Sequence, residues 1–292
     1  MREAKPILIF PQDNAVSITI NEVTLRKAYM ILGREKMRSF FKEKSIIARW
    51  MIEDQGGWKM LEVVYSGKIL TGGLNRYLLT SVPAEGLRNR VKAVIRYLEF
   101  QIKEIFKDVK RLKIANLGCG SAKDIITVAK NIKNFNPVYL NYLDIDCVDI
   151  DQEALQYAEQ ITKRELRTNL SSIRFINRSL VSCPYHKDVD IVILVGIICG
   201  LSHRESVILL KKIKKYLKPG GKLIASNVAP RMLERDPFFS KVVLEEIMGW
   251  KLIYKTPKEI RDIFKEAGYN CIDIIFDEPT RFHIIGIGTP FT

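Results

Sequence analysis

The sequence predicts an α/β fold: a doubly wound, mostly parallel sheet with helices on both faces, preceded by a small, mainly helical accessory region. Three observations carry this prediction. From about Lys113 onward, short apolar runs alternate with segments of helical periodicity, as a parallel sheet covered on both faces requires. The first of those runs ends in Gly118-Cys119-Gly120, a turn that opens a helix. At 292 residues and 47% hydrophobic content, the chain can bury one large core with room for a further small region, and a disordered or fibrous protein is excluded.

Taken in order, residues 7–10 and 16–20 read as a short hairpin around the turn formers Pro11, Asp13 and Asn14. Over residues 22–54 apolar side chains recur at helical spacing, among them Leu25, Tyr29, Met37, Phe41 and Ile47, with Gly33 as a break and Gly56-Gly57 as the end. Helix-and-loop sequence continues through Gly72-Gly73, and residues 84–109 then form one long helix with Pro83 near its start. The boundary therefore falls near Pro83, with 1–83 as an accessory cap and 84–292 as the main domain. In the latter, strands are expected at 113–117, 142–149, 173–176, 190–195 and 222–227, and helices at 123–132, 152–167, 204–217 and 257–267. The closing runs 271–276 and 282–287, split by Asp277, Pro279 and Thr280, predict a final hairpin at the sheet edge.

Composition narrows the function classes. Five cysteines (Cys119, Cys147, Cys183, Cys199, Cys271) include no C-x-x-C pair and are odd in number, which argues against a disulfide framework and a zinc ribbon and points to buried thiols in a reducing compartment. No metal site is expected. The charged start at residues 1–5 and the short apolar run 7–10 do not make a secretory signal, and the longest apolar run, 191–201, is too short to cross a bilayer. The expectation is a cytoplasmic protein without a transmembrane segment. A net charge of +14 favours an anionic partner. Much of the excess sits in one helical stretch (Arg26, Lys27, Arg34, Lys36, Arg38, Lys42, Lys44, Arg49), which is expected to be a solvated helix face.

The chemistry is carried by two elements. Asn116-Leu117-Gly118-Cys119-Gly120-Ser121-Ala122 is a strand running into a Gly-rich turn and a helix, the place where an open α/β sheet binds its ligand. A dinucleotide site wants G-x-G-x-x-G to cradle a pyrophosphate, and the third position here is Lys123. S-adenosylmethionine has no pyrophosphate, so a compact loop with free N–H groups at the following helix suffices for it. The second element is Asp149-Ile150-Asp151 at a strand end that feeds a helix. A carboxylate there can accept hydrogen bonds from both ribose hydroxyls of an adenosine. Asp149 is the favoured acid; Asp144 and Asp146 on the same strand remain alternatives, and Asp151 is expected to cap the helix.

The order of these elements, followed by Asp190-Ile191-Val192-Ile193 and then Leu217-Lys218-Pro219-Gly220-Gly221-Lys222-Leu223, resembles the class I S-adenosylmethionine-dependent methyltransferase family over roughly residues 85–290. The resemblance implies a Rossmann-like sheet, S-adenosylmethionine as cofactor, and a cofactor-binding set of Asn116, Gly118, Cys119, Gly120, Ser121, Ala122, Asp149, Ile150, Ser179, Leu180, Val195 and Gly196. It also implies that the turn Val195-Gly196-Ile197 flanks the sulfonium methyl. Two positions depart from the family pattern: Asn116 stands where an acid is frequent, and Ser179 or Leu180 stands where an acid follows the third strand. A closer likeness is to the extracellular-factor type, linked to biosynthesis of hydroxy fatty acid methyl esters. It rests on Pro83-Ala84, Arg88-x-Arg90, Asn227 and Gly249-Trp250-Lys251-Leu252-Ile253-Tyr254, and the segment 196–201 departs from it.

Methyl transfer from a sulfonium is an in-line displacement, so alignment in a dry pocket supplies most of the catalysis and no obligatory triad is expected. The favoured acceptor is a small anionic or apolar molecule, methylated on a carboxylate or hydroxyl of an acyl or lipid-like compound. A carboxylate needs a cation to hold it, for which Arg88, Arg90 and Arg178 are candidates; a hydroxyl needs a base. His203, Trp250 and Tyr254 are further candidates for the acceptor site. The alternatives are an RNA methyltransferase that uses the basic N-terminal region with Phe40, Phe41, Trp50 and Trp58 as stacking aromatics, an aminocarboxypropyl transferase of nicotianamine-synthase type, and a non-catalytic sensor of the cofactor.

Overall fold

The computed structural model describes residues 20–70, 72–105, 111–166 and 172–291. Five helices come first: α1 (Glu22–Lys44), α2 (Ile46–Glu53), α3 (Trp58–Ser66), α4 (Gly73–Thr80) and α5 (Val82–Ile105). Strand and helix then alternate as β1 (Leu112–Leu117), α6 (Lys123–Phe135), β2 (Leu143–Asp149), α7 (Gln152–Leu166), β3 (Ile173–Asn177), β4 (Val189–Leu194), α8 (His203–Lys214) and β5 (Leu217–Val228). The chain ends with α9 (Arg231–Arg235), a π-helix (Phe238–Ile247), α10 (Pro257–Glu266), β6 (Tyr269–Phe276) and β7 (His283–Pro290). The expected opening hairpin lies outside the described residues, apart from Ile20, as does the end of the long helix beyond Ile105.

The seven strands are ordered β3-β2-β1-β4-β5-β7-β6, with β7 antiparallel to both its neighbours and the rest parallel. This is the Rossmann-like, mostly parallel sheet expected from the sequence, with the closing hairpin at its edge. Because side chains alternate along a strand, Ile191 and Ile193 enter one core layer with Val94, Leu98 and Ile125, while Val192 and Leu194 enter the other with Leu210, Ile263 and Phe264. All four β4 residues are fully buried, which is why the strand reads as a continuous apolar run. Among the described residues, no helix is long and apolar enough to cross a membrane.

Two features depart from the expectation. The Lys-Pro-Gly-Gly segment is not a turn ahead of the fifth strand but part of β5: Val189 pairs with Leu217 and Ile191 with Lys222, so β5 spends extra residues as a bulge. Between β5 and α10, where no helix was expected, α9 and the π-helix form an inserted lobe. Its Met232, Phe239 and Leu244 share a third apolar cluster with Met37 of α1, Met51 of α2 and Val64 of α3.

Candidate functional site

The parallel strands deliver their carboxyl ends to one edge of the sheet, and the Gly-rich turn starts there. Gly118 and Gly120 both have positive φ, 68° and 52°, which glycine adopts without strain. A Cβ on Gly118 would stand 2.6 Å from Ile197 Cδ1. The amides of Gly118 and Cys119 donate to Val148 O (2.8 and 3.2 Å), which ties the turn to the neighbouring strand. Asp149, one residue on, accepts from the Gly120 amide at 2.7 Å and from the Asp151 amide at 2.9 Å. Each of its oxygens therefore keeps capacity for another donor. Asp151 caps α7 by accepting from the Ala154 amide at 3.1 Å.

The other two acids of β2 are engaged elsewhere. Asp144 and Asp146 both pair with Arg174 at 2.6 Å, and Asp146 also accepts from the Tyr185 hydroxyl at 2.8 Å. Asp149, not these two, lines the cavity. Asn116 donates at 3.0 Å to Asp124, a fully enclosed acid in the first turn of α6 whose carboxyl is pushed up by burial. Asn116 thus stands next to a carboxylate that comes from a helix eight residues later.

The turn opens into a cavity of about 740 Å³. One wall is the turn and the tips of β2 and β4; the other comes from α2–α4, the inserted lobe and the segment 250–252. Helix α3 is fastened over the turn by contacts to α7 and to the start of α6. Trp58, only 3% exposed, packs on Tyr157 of α7 with ring centres 4.7 Å apart. Glu62, 5% exposed, accepts from the Ser121 hydroxyl and from Lys123 Nζ, each at 3.0 Å. Lys59 pairs with Glu153 at 2.7 Å on the surface. On the far side, Asn227 donates to Ile253 O at 2.9 Å and the buried Lys255 Nζ donates to Ile198 O and Leu201 O, both at 2.8 Å. These bonds pin the segment after the π-helix against the turn that follows β4.

Of the residues expected at the site, Asn116, Gly118, Cys119, Gly120, Ser121, Asp149, Ile150, Ser179, Leu180, Val195 and Gly196 all line this one cavity, together with Arg90, Arg178 and Trp250. Four do not. Ala122 is fully buried, with φ 50°, at the N-cap of α6. Arg88 donates instead to Leu79 O at 3.1 Å, because residues two apart on a helix point to different sides. His203 sits exposed on the first turn of α8 and meets Glu266 at 3.0 Å. Tyr254 lies outside the cavity lining, with Lys241 over its ring. Conversely, Asp54, Trp58, Tyr65, Asp124 and the buried His283 line the cavity without having been singled out for it. In the sequence Trp58 reads only as an aromatic that could stack on bases, and nothing local marks a contact made across tens of residues.

Comparisons with known proteins agree with this geometry. A family model described as a methyltransferase domain matches residues 108–276. The ubiquinone biosynthesis O-methyltransferase of Rickettsia prowazekii is 24% identical over 181 residues, covering 62% of this chain and 63% of that protein. The tRNA(Thr) (cytosine(32)-N(3))-methyltransferase of Saccharomyces cerevisiae is 22% identical over 163 residues, covering 54% and 26%. The chain thus spans less than two thirds of the length of these curated relatives. Among solved structures, the magnesium protoporphyrin IX methyltransferase of Synechocystis PCC 6803 with bound SAH superposes with a TM-score of 0.59 at 17% identity, covering 85% of this chain and 99% of that one. A protein of Bordetella parapertussis described as a possible exported protein superposes at 0.65 with 14% identity, covering 93% and 98%. At such identities the superpositions establish a shared fold.

Proposed function

The chain belongs to the methyltransferase-domain family, and we propose that it is an S-adenosylmethionine-dependent enzyme that methylates a small, apolar acceptor on a carboxylate or hydroxyl oxygen inside the chamber beneath α3. The observation that carries this reading is the chamber itself. It is continuous with the Gly118–Ser121 turn, and its opposite wall is built from apolar side chains of the cap and the inserted lobe, including Val64, Leu78, Met232, Phe239 and Leu244. A polymeric acceptor would need an open, wet groove instead.

The residues at the turn fit the cofactor. The positive φ of Gly118 and Gly120 holds the turn tight, a Cβ on Gly118 would clash with Ile197, and the Asp149 carboxylate keeps acceptor capacity for the ribose hydroxyls. Ile150, Ser179 and Leu180 would border the adenine, Ser121 and the start of α6 the amino-acid end, and Val195 and Gly196 the sulfonium. The cofactor supplies a methyl group on a leaving group that departs neutral. The protein's own part is to align the acceptor oxygen and exclude water, which the packing of Trp58 and Glu62 over the turn favours.

An acceptor made of RNA is less well supported by the basic N-terminal region than its charge suggests. Arg26 and Lys42 are paired with Glu22 and Glu53, and Arg38 donates to Ile247 O. Phe41 and Trp58, two of the aromatics that would stack on bases, are buried. Calorimetry with SAM and SAH tests the reading: wild type binds both, and Asp149→Ala weakens SAH by about tenfold to a hundredfold through loss of charge-assisted hydrogen bonds. A wild-type protein that binds neither would overturn it. Product analysis separates the chemistries, since transfer of the aminocarboxypropyl arm leaves methylthioadenosine and methyl transfer leaves SAH.

A further inference from the structure

Helix α5 carries one arginine into the chamber. Arg90 is 5% exposed, and its guanidinium lies against the turn after β4, where a Cβ on Gly196 would stand 3.6 Å from Nη1 and 3.8 Å from Nη2. Nη2 donates to the Tyr65 hydroxyl at 2.7 Å, and Nε has no hydrogen-bond partner. Among the described residues Arg90 forms no ion pair. Asp124 feels its charge, yet that acid is already engaged by Asn116 at 3.0 Å and by the Ile125 amide at 2.8 Å. A guanidinium keeps its proton at any accessible pH, so this is a permanent cation, enclosed by protein and lining the cavity, with no salt-bridge partner among the described residues.

We propose that Arg90, braced by Tyr65, is the carboxylate-binding site of the chamber. The planar fork offers parallel N–H donors that match the two oxygens of a carboxylate. Tyr65 belongs to α3, so the cap sets the fork's orientation, and a carboxylate held there lies against the turn expected to flank the methyl. This inference rests on the methyl-transfer reading above. Under that reading two molecules bring a carboxylate into the chamber, the cofactor through its amino-acid end and an acidic acceptor through its own.

Calorimetry on the full chain distinguishes the two sources. SAH is compared with methylthioadenosine, which lacks the carboxylate, and decanoate is compared with 1-decanol in the presence of SAH. Wild type, Arg90→Met and Tyr65→Phe are each titrated. If the guest is the cofactor's carboxylate, Arg90→Met weakens SAH by about tenfold or more and leaves methylthioadenosine unchanged. If it is the acceptor's, SAH is unchanged and a wild-type preference for decanoate over decanol of about tenfold or more disappears in Arg90→Met. In either case Tyr65→Phe moves the same ligand in the same direction by a smaller factor. Should Arg90→Met not fold, Arg90→Lys, which keeps the charge and loses the fork, reads out the same comparison at smaller amplitude. The site does not exist as described if the variants change neither comparison, or if they weaken SAH and methylthioadenosine equally. Wild type that binds no SAH at all removes the methyl-transfer reading by itself, and the decanoate pair then still decides Arg90.

Discussion

The two walls of the chamber are built in opposite ways. The proposed cofactor wall is framed by backbone: a turn with positive φ at Gly118 and Gly120, amides of residues 118 and 119 on Val148 O, and the Asp149 carboxylate bonded to the Gly120 amide. Its core lies within residues 116–151, where β1–β2 pairing holds it in register, and the segments after β3 and β4 complete it. The proposed acceptor wall is mostly side chains drawn from distant segments, with Trp58 and Tyr65 on α3 and Met232, Phe239 and Trp250 in and after the inserted lobe. A backbone wall tolerates many sequences and fixes a common ligand. A side-chain wall can be rebuilt without disturbing the first, which is how one cofactor site comes to serve many acceptors.

Substitutions on each side test whether the walls are separable. The largest effect on stability is expected from Trp58→Ala, which empties a buried site against Tyr157 and should cost about 3–5 kcal/mol in denaturant unfolding. A cost below about 1 kcal/mol would mean that α3 is not packed on α7 as described. Gly118→Val strikes the cofactor wall instead, forcing a β-branched residue to φ 68° with its Cβ 2.6 Å from Ile197. It should cost about 1–3 kcal/mol and abolish SAH binding in calorimetry; undiminished SAH affinity would show that the turn is not the cofactor's seat. Glu62→Gln breaks the buried tie between the walls, leaving Lys123 without its carboxylate, and is expected to cost about 1–3 kcal/mol and to raise hydrogen exchange across α3. The smallest effect belongs to Lys59→Ala, since the pair with Glu153 is solvent-exposed and worth about 0–1 kcal/mol. A loss as large as that of Glu62→Gln would place the fastening of the cap at its surface and not beneath it.

The difference between the walls also explains what could be anticipated. The strand–turn–helix at Gly118 and the acidic end of β2 are short-range patterns, and the residues expected there line the cavity, Ala122 excepted. Which of three acids faces inward was not legible in the same way: Asp144 and Asp146 are turned to Arg174, a partner on β3 that no local pattern announces. Arg88 and Arg90 were equivalent as letters, and the rotation of α5 separates them. The inserted lobe escaped notice because Pro230, Pro237 and Gly249 punctuate it, and its apolar residues read as a loop until α1 packs against the π-helix.

From the sequence alone came the alternation of strands and helices, the parallel sheet with its closing hairpin, and the glycine turn that opens onto the cavity. These follow from periodicity and backbone geometry, which act between near neighbours. Tertiary structure decided the rest: the seating of α3 over the turn, the bond between Asn116 and Asp124, and the placing of the Arg90 guanidinium beside Tyr65. Burial and electrostatic pairing depend on what the folded chain brings alongside, and that is set by contacts between residues far apart in sequence.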